Sequence, residues 1–487
     1  MRTPLASKRQ AGVQNLVRNL NRRWVDPWSQ SGSRRGVSIW RRLQPPHLLV
    51  GSFLMLIVLG TAGLLLLPGL YTGERLGFVD AVFTATSAVC VTGLIVVDTA
   101  TYFTTAGQAF LLLLIQLGGL GIITLTTLII LTLGRRLSLR HEVLASPAAD
   151  VAPHVDHRRL TRNVILFALA FEAAGAIALF LLWAPAMGWG AAWHALFHAV
   201  SAFCNAGFST FTDSLTGFQR APVTLAIIMS LIVLGGIGFL TLEELYVMRR
   251  GAKGGARLSL HSRLVLGTTA ILLLAGWALF TVLEWGVTLR EMPRWARVFN
   301  GLFMSVTART AGFNTIDYAA ASEGSDFLTI ILMFAGGSPG SMAGGIKTTT
   351  VALIGLLALA RLRGRPDVSL GGRSIPGDTI QRSIGLFALA FGVVTAAILL
   401  YTILESGMVS HGEAGGSFLK HMFEATSAFN TVGLSMGVTP DLSVPGRWLT
   451  IVLMYVGRVG PLVFASAIAL PRRRIAFRYA REDIIVG

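Results

Sequence analysis

One short pattern occurs four times in this chain and limits its fold more than any other feature. Each copy is a turn that ends in glycine, and each follows a short run that starts with phenylalanine, at Phe83, Phe197, Phe303 and Phe423. The turns are Cys90-Val91-Thr92-Gly93, Cys204-Asn205-Ala206-Gly207, Arg309-Thr310-Ala311-Gly312 and Asn430-Thr431-Val432-Gly433. Their glycines are 114, 105 and 121 residues apart. A long period that is kept three times predicts four homologous units.

Apolar sequence surrounds every turn. With 53% hydrophobic and only 13% charged residues among 487, the chain has too much apolar surface for a soluble protein of this size. Eight stretches are long and apolar enough to cross a bilayer as helices of about 20 residues. They cover about 47–69, 104–134, 160–184, 220–248, 262–286, 325–360, 381–405 and 446–470. The sequence therefore predicts an all-α integral membrane protein with eight transmembrane helices.

A shorter segment precedes each turn. These segments cover about 77–90, 191–204, 295–308 and 417–430 and are too short to span the bilayer. Each unit is predicted to be a long helix, a half-length pore helix, a turn and a second long helix, with the four units around one pore. The predicted domains are a basic arm over 1–46, repeats over 47–140, 141–257, 258–373 and 374–470, and a tail over 471–487.

The net charge of +17 comes from basic residues that gather between the apolar stretches. This distribution favours a membrane topology over nucleic-acid binding, and the positive-inside rule places the basic loops and both termini in the cytoplasm. The arm over 1–46 is interpreted either as an amphipathic segment on anionic lipid or as a disordered extension. On the opposite side, acids that follow the turns form either a cation-attracting vestibule or ordinary solvated loops. These acids are Asp98, Asp213, Asp317, Glu323, Asp326 and Asp441.

Four extended turns inside a membrane need a shared polar axis, because lipid cannot satisfy irregular backbone. Around such an axis their carbonyl oxygens would replace the hydration shell of a cation. Glycine suits the last position because it accepts positive φ and has no Cβ to narrow the pore. The alternative is that the glycines only allow close helix packing. Four matched copies favour the pore.

The sixth apolar stretch contains a segment that cannot continue as a helix, since interior glycine costs about 1 kcal/mol and proline about 3 kcal/mol. The segment is Gly336, Gly337, Ser338, Pro339, Gly340, Ser341, Met342, Ala343, Gly344, Gly345, Ile346 and Lys347. The break is interpreted as a gate below the turns or as a fixed kink. Arg458 stands in the eighth stretch, where a charge is costly and usually functional. It is predicted to have a functional role or to form a buried salt bridge, with Glu243 and Glu244 as candidate partners.

Several other polar residues are expected to be structural. Arg309 should point away from the axis, because a guanidinium facing the pore would repel cations. His198, Glu424 and the two cysteines, Cys90 and Cys204, are expected to pack behind the turns. Two cysteines do not indicate a disulfide framework or a protein metal site, and no cofactor is expected.

The chain resembles the superfamily of bacterial Trk and Ktr and plant HKT potassium transporters over about residues 47–470. The similarity rests on Val91-Thr92-Gly93-Leu94, Asn205-Ala206-Gly207-Phe208, Arg309-Thr310-Ala311-Gly312-Phe313-Asn314-Thr315 and Thr431-Val432-Gly433-Leu434-Ser435. No additional helix pair precedes the first repeat, which makes the chain most similar to KtrB. The resemblance implies a selectivity filter in which carbonyl groups of the four turns bind K+. Glycine at all four last positions implies selectivity for K+ over Na+.

The resemblance also implies that residues 336–347 are a gate and that Arg458 lies under the filter. Relatives commonly have threonine at the position of Met342. The family implies a homodimer in the bacterial inner membrane and a cytoplasmic KtrA-like ring that binds ATP, ADP or cyclic di-AMP. This chain contains no G-x-G-x-x-G phosphate-binding unit, so nucleotide control is expected from a separate subunit. Na+ is a candidate activator.

Two other function classes fit the sequence less well. A cation-coupled secondary transporter would use discontinuous spans and alternating access, and only the sixth span is expected to be broken. A membrane enzyme has little support, since neither an HExxH motif nor paired intramembrane carboxylates are evident in the sequence.

Overall fold

A computed structural model describes residues 45–132, 157–249, 258–407, 410 and 415–460. Several predicted regions lie outside the described residues. They are the basic arm up to residue 44, the loop residues 133–156 and 250–257, the eighth apolar stretch from residue 461 and the tail over 471–487.

Helices joined by loops make up most of the described chain. The α-helices are α1 Pro45–Leu66, α2 Phe78–Val89, α3 Thr99–Tyr102, α4 Thr105–Thr132, α5 His157–Met187, α6 Ala191–Phe203, α7 Pro222–Ile237, α8 Phe239–Arg249, α9 Leu260–Glu284, α10 Arg294–Thr307, α11 Glu323–Phe334, α12 Thr348–Leu362, α13 Gly377–Tyr401, α14 Ser417–Phe429 and α15 Val444–Val459. Turns of 3-10 helix cover Gly188–Gly190, Thr216–Phe218, Tyr318–Ala320 and Thr439–Asp441, and a π-helical turn covers Thr402–Ser406. Strands β1 Ser369–Leu370 and β2 Arg373–Ser374 form a small antiparallel pair.

The four half-length helices agree with the predicted segments to within a few residues. They are α2, α6, α10 and α14, and each ends where a glycine turn begins. Each of the eight predicted spans also contains helix. The sixth is interrupted between α11 and α12, as expected. The fourth is interrupted as well, between α7 and α8, where the axis bends by 104°. The expectation that only the sixth span is broken is therefore wrong.

By length and composition, four helical segments of the described residues can cross a membrane. These are Leu49–Leu66, Arg162–Phe203, Leu260–Glu284 and Gly377–Ser406, and the bent pair α7 and α8 would be a fifth. Their outer faces carry exposed apolar side chains, for example Met55 in α1 and Ile271 in α9. A helix that is apolar on its exposed face is stable in lipid rather than in water.

A repeated glycine contact packs the two long helices of a unit together. Leu114 of α4 lies over Gly60 of α1, Leu231 of α7 over Gly175 of α5, and Leu332 of α11 over Gly276 of α9. A Cβ on Gly60, Gly175 or Gly276 would lie 3.0, 2.6 or 2.8 Å from a methyl group of the leucine. Small residues thus allow the close approach that membrane helices need.

Serine caps and carboxylates join the helix ends of two units, α9 to α11 in the third and α13 to α15 in the fourth. Glu284 at the end of α9 accepts hydrogen bonds from the backbone N–H and Oγ of Ser322, the N-cap of α11, at 2.9 and 2.7 Å. Glu405 accepts in the same way from Ser443, the N-cap of α15, at 3.1 and 2.6 Å. Each carboxylate satisfies donors at a helix start that lipid could not.

Candidate ion pathway

The four turns share one backbone conformation. The residue two positions before each glycine has positive φ, with values of 56° at Val91, 58° at Asn205, 70° at Thr310 and 50° at Thr431. The glycine itself also has positive φ, with values of 94° at Gly93, 70° at Gly207, 82° at Gly312 and 90° at Gly433. Positive φ is uncommon outside glycine, so four matched pairs indicate a conformation imposed by the surroundings.

The turns contact each other in a closed cycle. A Cβ atom built on Gly93 would collide with the Ala206 carbonyl oxygen, and one on Gly207 would lie 2.8 Å from the Ala311 oxygen. A Cβ on Gly312 would lie 2.6 Å from the Val432 oxygen, and one on Gly433 would collide with the Thr92 oxygen. Each glycine thus faces the carbonyl group of the preceding residue in the next turn. No L side chain fits this ring without displacing backbone.

Hydroxyl groups of the half-length helices hold the turns from behind. Ser87 Oγ donates to the Leu94 carbonyl at 2.7 Å, Ser201 Oγ to the Phe208 carbonyl at 2.8 Å, and Thr307 Oγ1 to the Phe313 carbonyl at 2.6 Å. In the fourth turn, Ser427 Oγ accepts from the Gly433 N–H at 3.1 Å. These bonds attach each turn glycine, or the residue after it, to the preceding half-length helix, which stiffens the ring.

A cavity of about 520 Å³ lies on the side of the ring that follows the glycines, and all four glycines line it. Three of the predicted vestibule acids also line it, namely Asp98, Asp213 and Asp317. The other three are not among its lining residues. Asp326 is instead 1% exposed within the protein, at the start of α11. The acidic mouth is therefore built from the first three units.

The remaining predicted structural side chains lie behind the turns. His198 Nε2 lies 2.9 Å from Ser209 Oγ, and Glu424 accepts from Ser435, from the Met436 N–H at 3.2 Å and from Thr439 Oγ1 at 2.9 Å. Both side chains tether the segment that follows a turn glycine. Cys90 and Cys204 are fully buried free thiols.

Arg309 lies in a small cavity lined by Val233, Thr269 and Leu273, among others, between α7 and α9. Its Nη2 group donates to the Gly336 carbonyl at 3.4 Å. The side chain thus contacts the start of the interrupting loop as well as the packed helices behind the third turn.

The loop between α11 and α12 lies against the fourth turn and against α7. The Ile346 N–H donates to Asn430 Oδ1 at 3.4 Å, and a Cβ on Gly344 would collide with Thr431 Oγ1. Lys347 Nζ donates back to the Ala343 carbonyl at 2.8 Å, which closes the end of the loop on itself. The loop is thus packed against the turn ring through glycines.

Residues 336–340 also have the form Gly-x-Ser-x-Gly, which in many hydrolases marks a nucleophile. Here Ser338 lies between two helices rather than on a strand-to-helix turn. Its hydroxyl lies 3.0 Å from Thr348 Oγ1. The structural context of that catalytic motif is therefore missing at this site.

Arg458 joins the loop to two long helices. Its Nη1 group donates to the Met342 carbonyl, and its Nη2 group donates to the Gly118 carbonyl of α4 at 2.9 Å. Among the described residues it forms no ion pair; Glu244, one of the predicted partners, instead accepts from the Ser259 N–H at 2.5 Å. A fork of donors on two carbonyl groups suits guanidinium geometry.

The broken fourth span is a feature that sequence reasoning missed. Gly238, between α7 and α8, has φ 96° and ψ 137°, and Gly460 after α15 has φ 93° and ψ 132°. A repeated signal was present: Gly-x-x-Gly occurs at 118–121, 235–238 and 457–460. A Cβ on the first glycine of each would collide with the last carbonyl of a half-length helix, that of Val89, Phe203 or Phe429.

A second missed feature is a buried polar chain behind the second turn. Gln116 Nε2 donates to both carboxylate oxygens of Glu172 at 3.1 and 2.9 Å, and Cys204 Sγ donates to Gln116 Oε1 at 3.3 Å. Glu172 is the one intramembrane carboxylate of the fifth helix, and its isolation in apolar sequence was the available signal.

The family whose sequence pattern matches residues 47–476 is TrkH, described as cation transport protein. The chain belongs to the TrkH family. This match covers every turn and the interrupting loop, and it identifies a family of transporters rather than of enzymes. The family match and the apolar helices together identify the chain as a multi-pass membrane protein.

Several full-length relatives agree with this assignment. The potassium/sodium uptake protein NtpJ of Enterococcus hirae is 36% identical, over 92% of this chain and 98% of that protein. The Ktr system potassium uptake protein B of Vibrio alginolyticus is 37% identical over 91% of this chain and 95% of its own length. Its counterpart in Bacillus subtilis is also 37% identical, over 92% and 98%.

The crystal structure of the potassium transporter TrkH from Vibrio parahaemolyticus has the same fold. It superposes with a TM-score of 0.68 over 91% of this chain and 87% of the TrkH chain, at 19% identity. The predicted all-α membrane architecture and the resemblance to Trk and Ktr proteins are therefore confirmed.

Proposed function

We propose that this chain is the ion-translocating subunit of a potassium uptake system, in which K+ crosses the membrane through the ring of four glycine turns. The contact cycle of Gly93, Gly207, Gly312 and Gly433 carries this proposal. It brings backbone carbonyl groups from four parts of the chain to one place, which is how K+ filters replace hydration water. Potassium uptake is also the activity in the names of the two Ktr system B relatives.

The neighbouring features support a path through the ring. The outer cavity carries Asp98, Asp213 and Asp317, whose charge raises the local cation concentration. On the other side, residues 336–347 with Arg458 form the proposed gate. The Ile346 N–H binds Asn430 of the fourth turn and the Met342 carbonyl binds Arg458, and these bonds hold the loop next to the ring. A membrane potential supplies about 2.3 kcal/mol per charge per 100 mV for inward movement of K+.

We also propose the assembly. The subunit is a homodimer in the bacterial inner membrane with both termini in the cytoplasm, and a separate KtrA-like ring that binds ATP, ADP or cyclic di-AMP controls it. The name of the Ktr system B proteins supports a multi-component system. Na+ is proposed as an activator rather than as a competing substrate.

A cation-coupled transporter is the second candidate, because two spans are broken rather than one. Discontinuous helices frequently bind coupling ions in such transporters. NtpJ, which is named as a potassium/sodium uptake protein, is consistent with a role for both ions.

The test is 86Rb+ uptake into proteoliposomes, with Na+ as competitor, by wild type and by Gly93→Ser. Ring closure predicts that the serine variant loses at least about tenfold in its preference for Rb+, because its Cβ displaces a carbonyl group that binds the ion. Gly69→Ser is the matched control, since Gly69 also has positive φ, 76°, but its Cβ would meet nothing.

Equal selectivity in both variants would reject the ring as the filter. Rb+ movement in a fixed ratio to Na+ or H+ would favour the coupled transporter instead. If wild type alone shows no flux, the assay is repeated with the nucleotide-binding partner.

A further inference from the structure

The two broken spans exchange backbone hydrogen bonds. In a continuous helix, the carbonyl groups of Gly235 and Gly236 would accept from the N–H groups four residues later, those of Phe239 and Leu240. The bend at Gly238 removes both donors. Instead, Gly235 accepts from the Met342 N–H at 3.1 Å and Gly236 from the Ser338 N–H at 3.0 Å.

The exchange also works in the opposite direction. Phe239 has lost Gly235 as its acceptor, and its N–H donates to the Gly340 carbonyl at 3.0 Å. The loop thus supplies two donors and one acceptor to the bend, and the bend supplies two acceptors and one donor to the loop. In a membrane, neither partner can leave without an alternative, because an unsatisfied backbone group is costly there.

Another helix of the same protein shows the straight conformation of a Gly-x-x-Gly motif. The first Gly-x-x-Gly, Gly118 to Gly121, lies within the uninterrupted helix α4, which continues to Thr132. The second, Gly235 to Gly238, is followed by the 104° bend. The first glycine of both motifs packs on a half-length helix, against Val89 and Phe203 respectively. The motif therefore permits either conformation in an equivalent setting.

We infer that the fourth span straightens at Gly238 when the loop over 336–347 leaves its position, so that helix bonds replace the bonds to the loop. Phe239 and Leu240 then donate to Gly235 and Gly236, and Ser338, Gly340 and Met342 are released together. Gly238 is thus a positioning residue: its positive φ keeps the fourth span bent, and the bent span holds the loop through these hydrogen bonds. This inference rests on the proposed function only in that it equates the docked loop with a closed gate.

Gly238 has the properties that this role requires. Its φ of 96° is a conformation that other residues rarely adopt, and a Cβ there would lie 2.5 Å from the Pro339 carbonyl oxygen. Alanine at this position opposes the bend and the docked loop at once, and it favours helix. Gly238→Ala therefore shifts the protein toward the straight, undocked form.

The experiment measures amide hydrogen exchange of the full chain in nanodiscs for wild type, Gly238→Ala and Gly392→Ala. Gly392 lies in α13, where an added Cβ would meet nothing, so it controls for a general gain in helix propensity. In Gly238→Ala we expect the amides of Ser338 and Met342 to exchange about tenfold faster. The amide of Phe239 should remain slow, and that of Leu240, which gains Gly236 as its acceptor, should become slower. A second arm measures 86Rb+ uptake, which should rise about tenfold in the same variant.

The exchange pattern decides between outcomes. If Phe239 and Leu240 also exchange faster, the substitution has only loosened the region and the inference is wrong. It is equally wrong if Ser338 and Met342 keep their protection. Slow helix amides with a fast loop but unchanged flux would support the coupled movement and reject the loop as the gate. That last result would count against the proposed function, not against the straightening.

Discussion

The ring of turns and the loop beneath it are built on opposite principles. In the ring, four equivalent segments have the same pair of positive φ values and contact one another in a cycle. Within the described residues the loop occurs only in the third unit, over residues 336–347, and other units contribute unlike groups to hold it. These groups are the Gly235 and Gly236 carbonyls, the Asn430 side chain and the Arg458 guanidinium.

Under the proposed function, this difference separates ion selection by the ring from control of ion flux by the loop. A ring in which every turn is packed against the next can change only if all four turns change, because close-packed interiors are not continuously deformable. The loop is held mainly by individual hydrogen bonds, each worth about 0.5–1.5 kcal/mol, or about 1.5–3 kcal/mol with a charged group. A regulator can offset bonds of that size when the loop leaves its position as a unit.

The largest effect is expected where the ring rests on its supporting helices. Gly457→Ala places a Cβ onto the Phe429 carbonyl, so α15 must move away from the end of α14. Overpacking of this kind costs roughly 3 kcal/mol. Thermal unfolding in detergent should show a clearly lowered Tm, while Gly392→Ala, which meets nothing, stays at or above the wild-type value. Equal Tm values for the two variants would mean that the ring tolerates displacement.

A somewhat smaller effect is expected behind the fourth turn. Glu424 is 1% exposed and accepts three hydrogen bonds from the segment over 435–439. Glu424→Ala leaves those donors without their acceptor, at a cost of roughly 2–3 kcal/mol. Tm should fall, and Glu424→Gln, which keeps an acceptor oxygen, should recover part of the loss. An unchanged Tm in Glu424→Ala would show that the segment does not depend on this carboxylate.

Removing Arg458 should act on the loop rather than on the ring. Arg458→Gln loses the fork that joins the Met342 and Gly118 carbonyl groups. The loop is then less firmly held, and 86Rb+ uptake should rise about tenfold, which corresponds to roughly 1.4 kcal/mol. The preference for Rb+ over Na+ should not change. Arg458→Lys, which keeps the charge without the planar fork, should lie between the two. A loss of selectivity would contradict the division between ring and loop.

The sequence was sufficient for the features that repeat and for the one segment with a high density of helix-breaking residues. The turns, the half-length helices and the loop in the sixth span follow from spacing, length and helix-breaking residues, and the helix bounds agree closely. It was not sufficient for Gly238, since a single glycine inside an apolar stretch is also compatible with a straight helix, as Gly121 in α4 shows. The bend depends on donors supplied by a loop about 100 residues later, which no local pattern contains.

Side-chain partners were similarly beyond the sequence. Arg458 was compatible with a salt bridge, and its two carbonyl acceptors come from positions 116 and 340 residues away. The position of Asp326 could not be predicted either. It follows the third turn, as Asp98 and Asp213 follow the first and second turns, but it lies in the first turn of a helix and is buried. Tertiary packing decided which loop acids face the cavity.

The smallest effect is expected from the buried polar chain of Glu172 and Gln116. Glu172 lies three residues before Gly175, and the corresponding positions before Gly60 and Gly276 are Ile57 and Leu273. An apolar residue therefore fits this place in the first and third units, and the fold does not require a carboxylate there. Replacing a buried polar pair by apolar residues of similar volume is often neutral or stabilising.

The double variant Glu172→Leu with Gln116→Leu should consequently unfold within about 1 kcal/mol of wild type. Glu172→Leu alone should be less stable than the double variant, because it leaves the Gln116 amide without its acceptor, at about 1–3 kcal/mol. Selectivity for Rb+ should be unchanged in both, since the turn itself is held by Ser201 and by the neighbouring turn. A changed Rb+ to Na+ ratio in the double variant would mean that Glu172 and Gln116 influence the second turn through the thiol of Cys204. The four turns would then be less equivalent than their backbone conformations indicate.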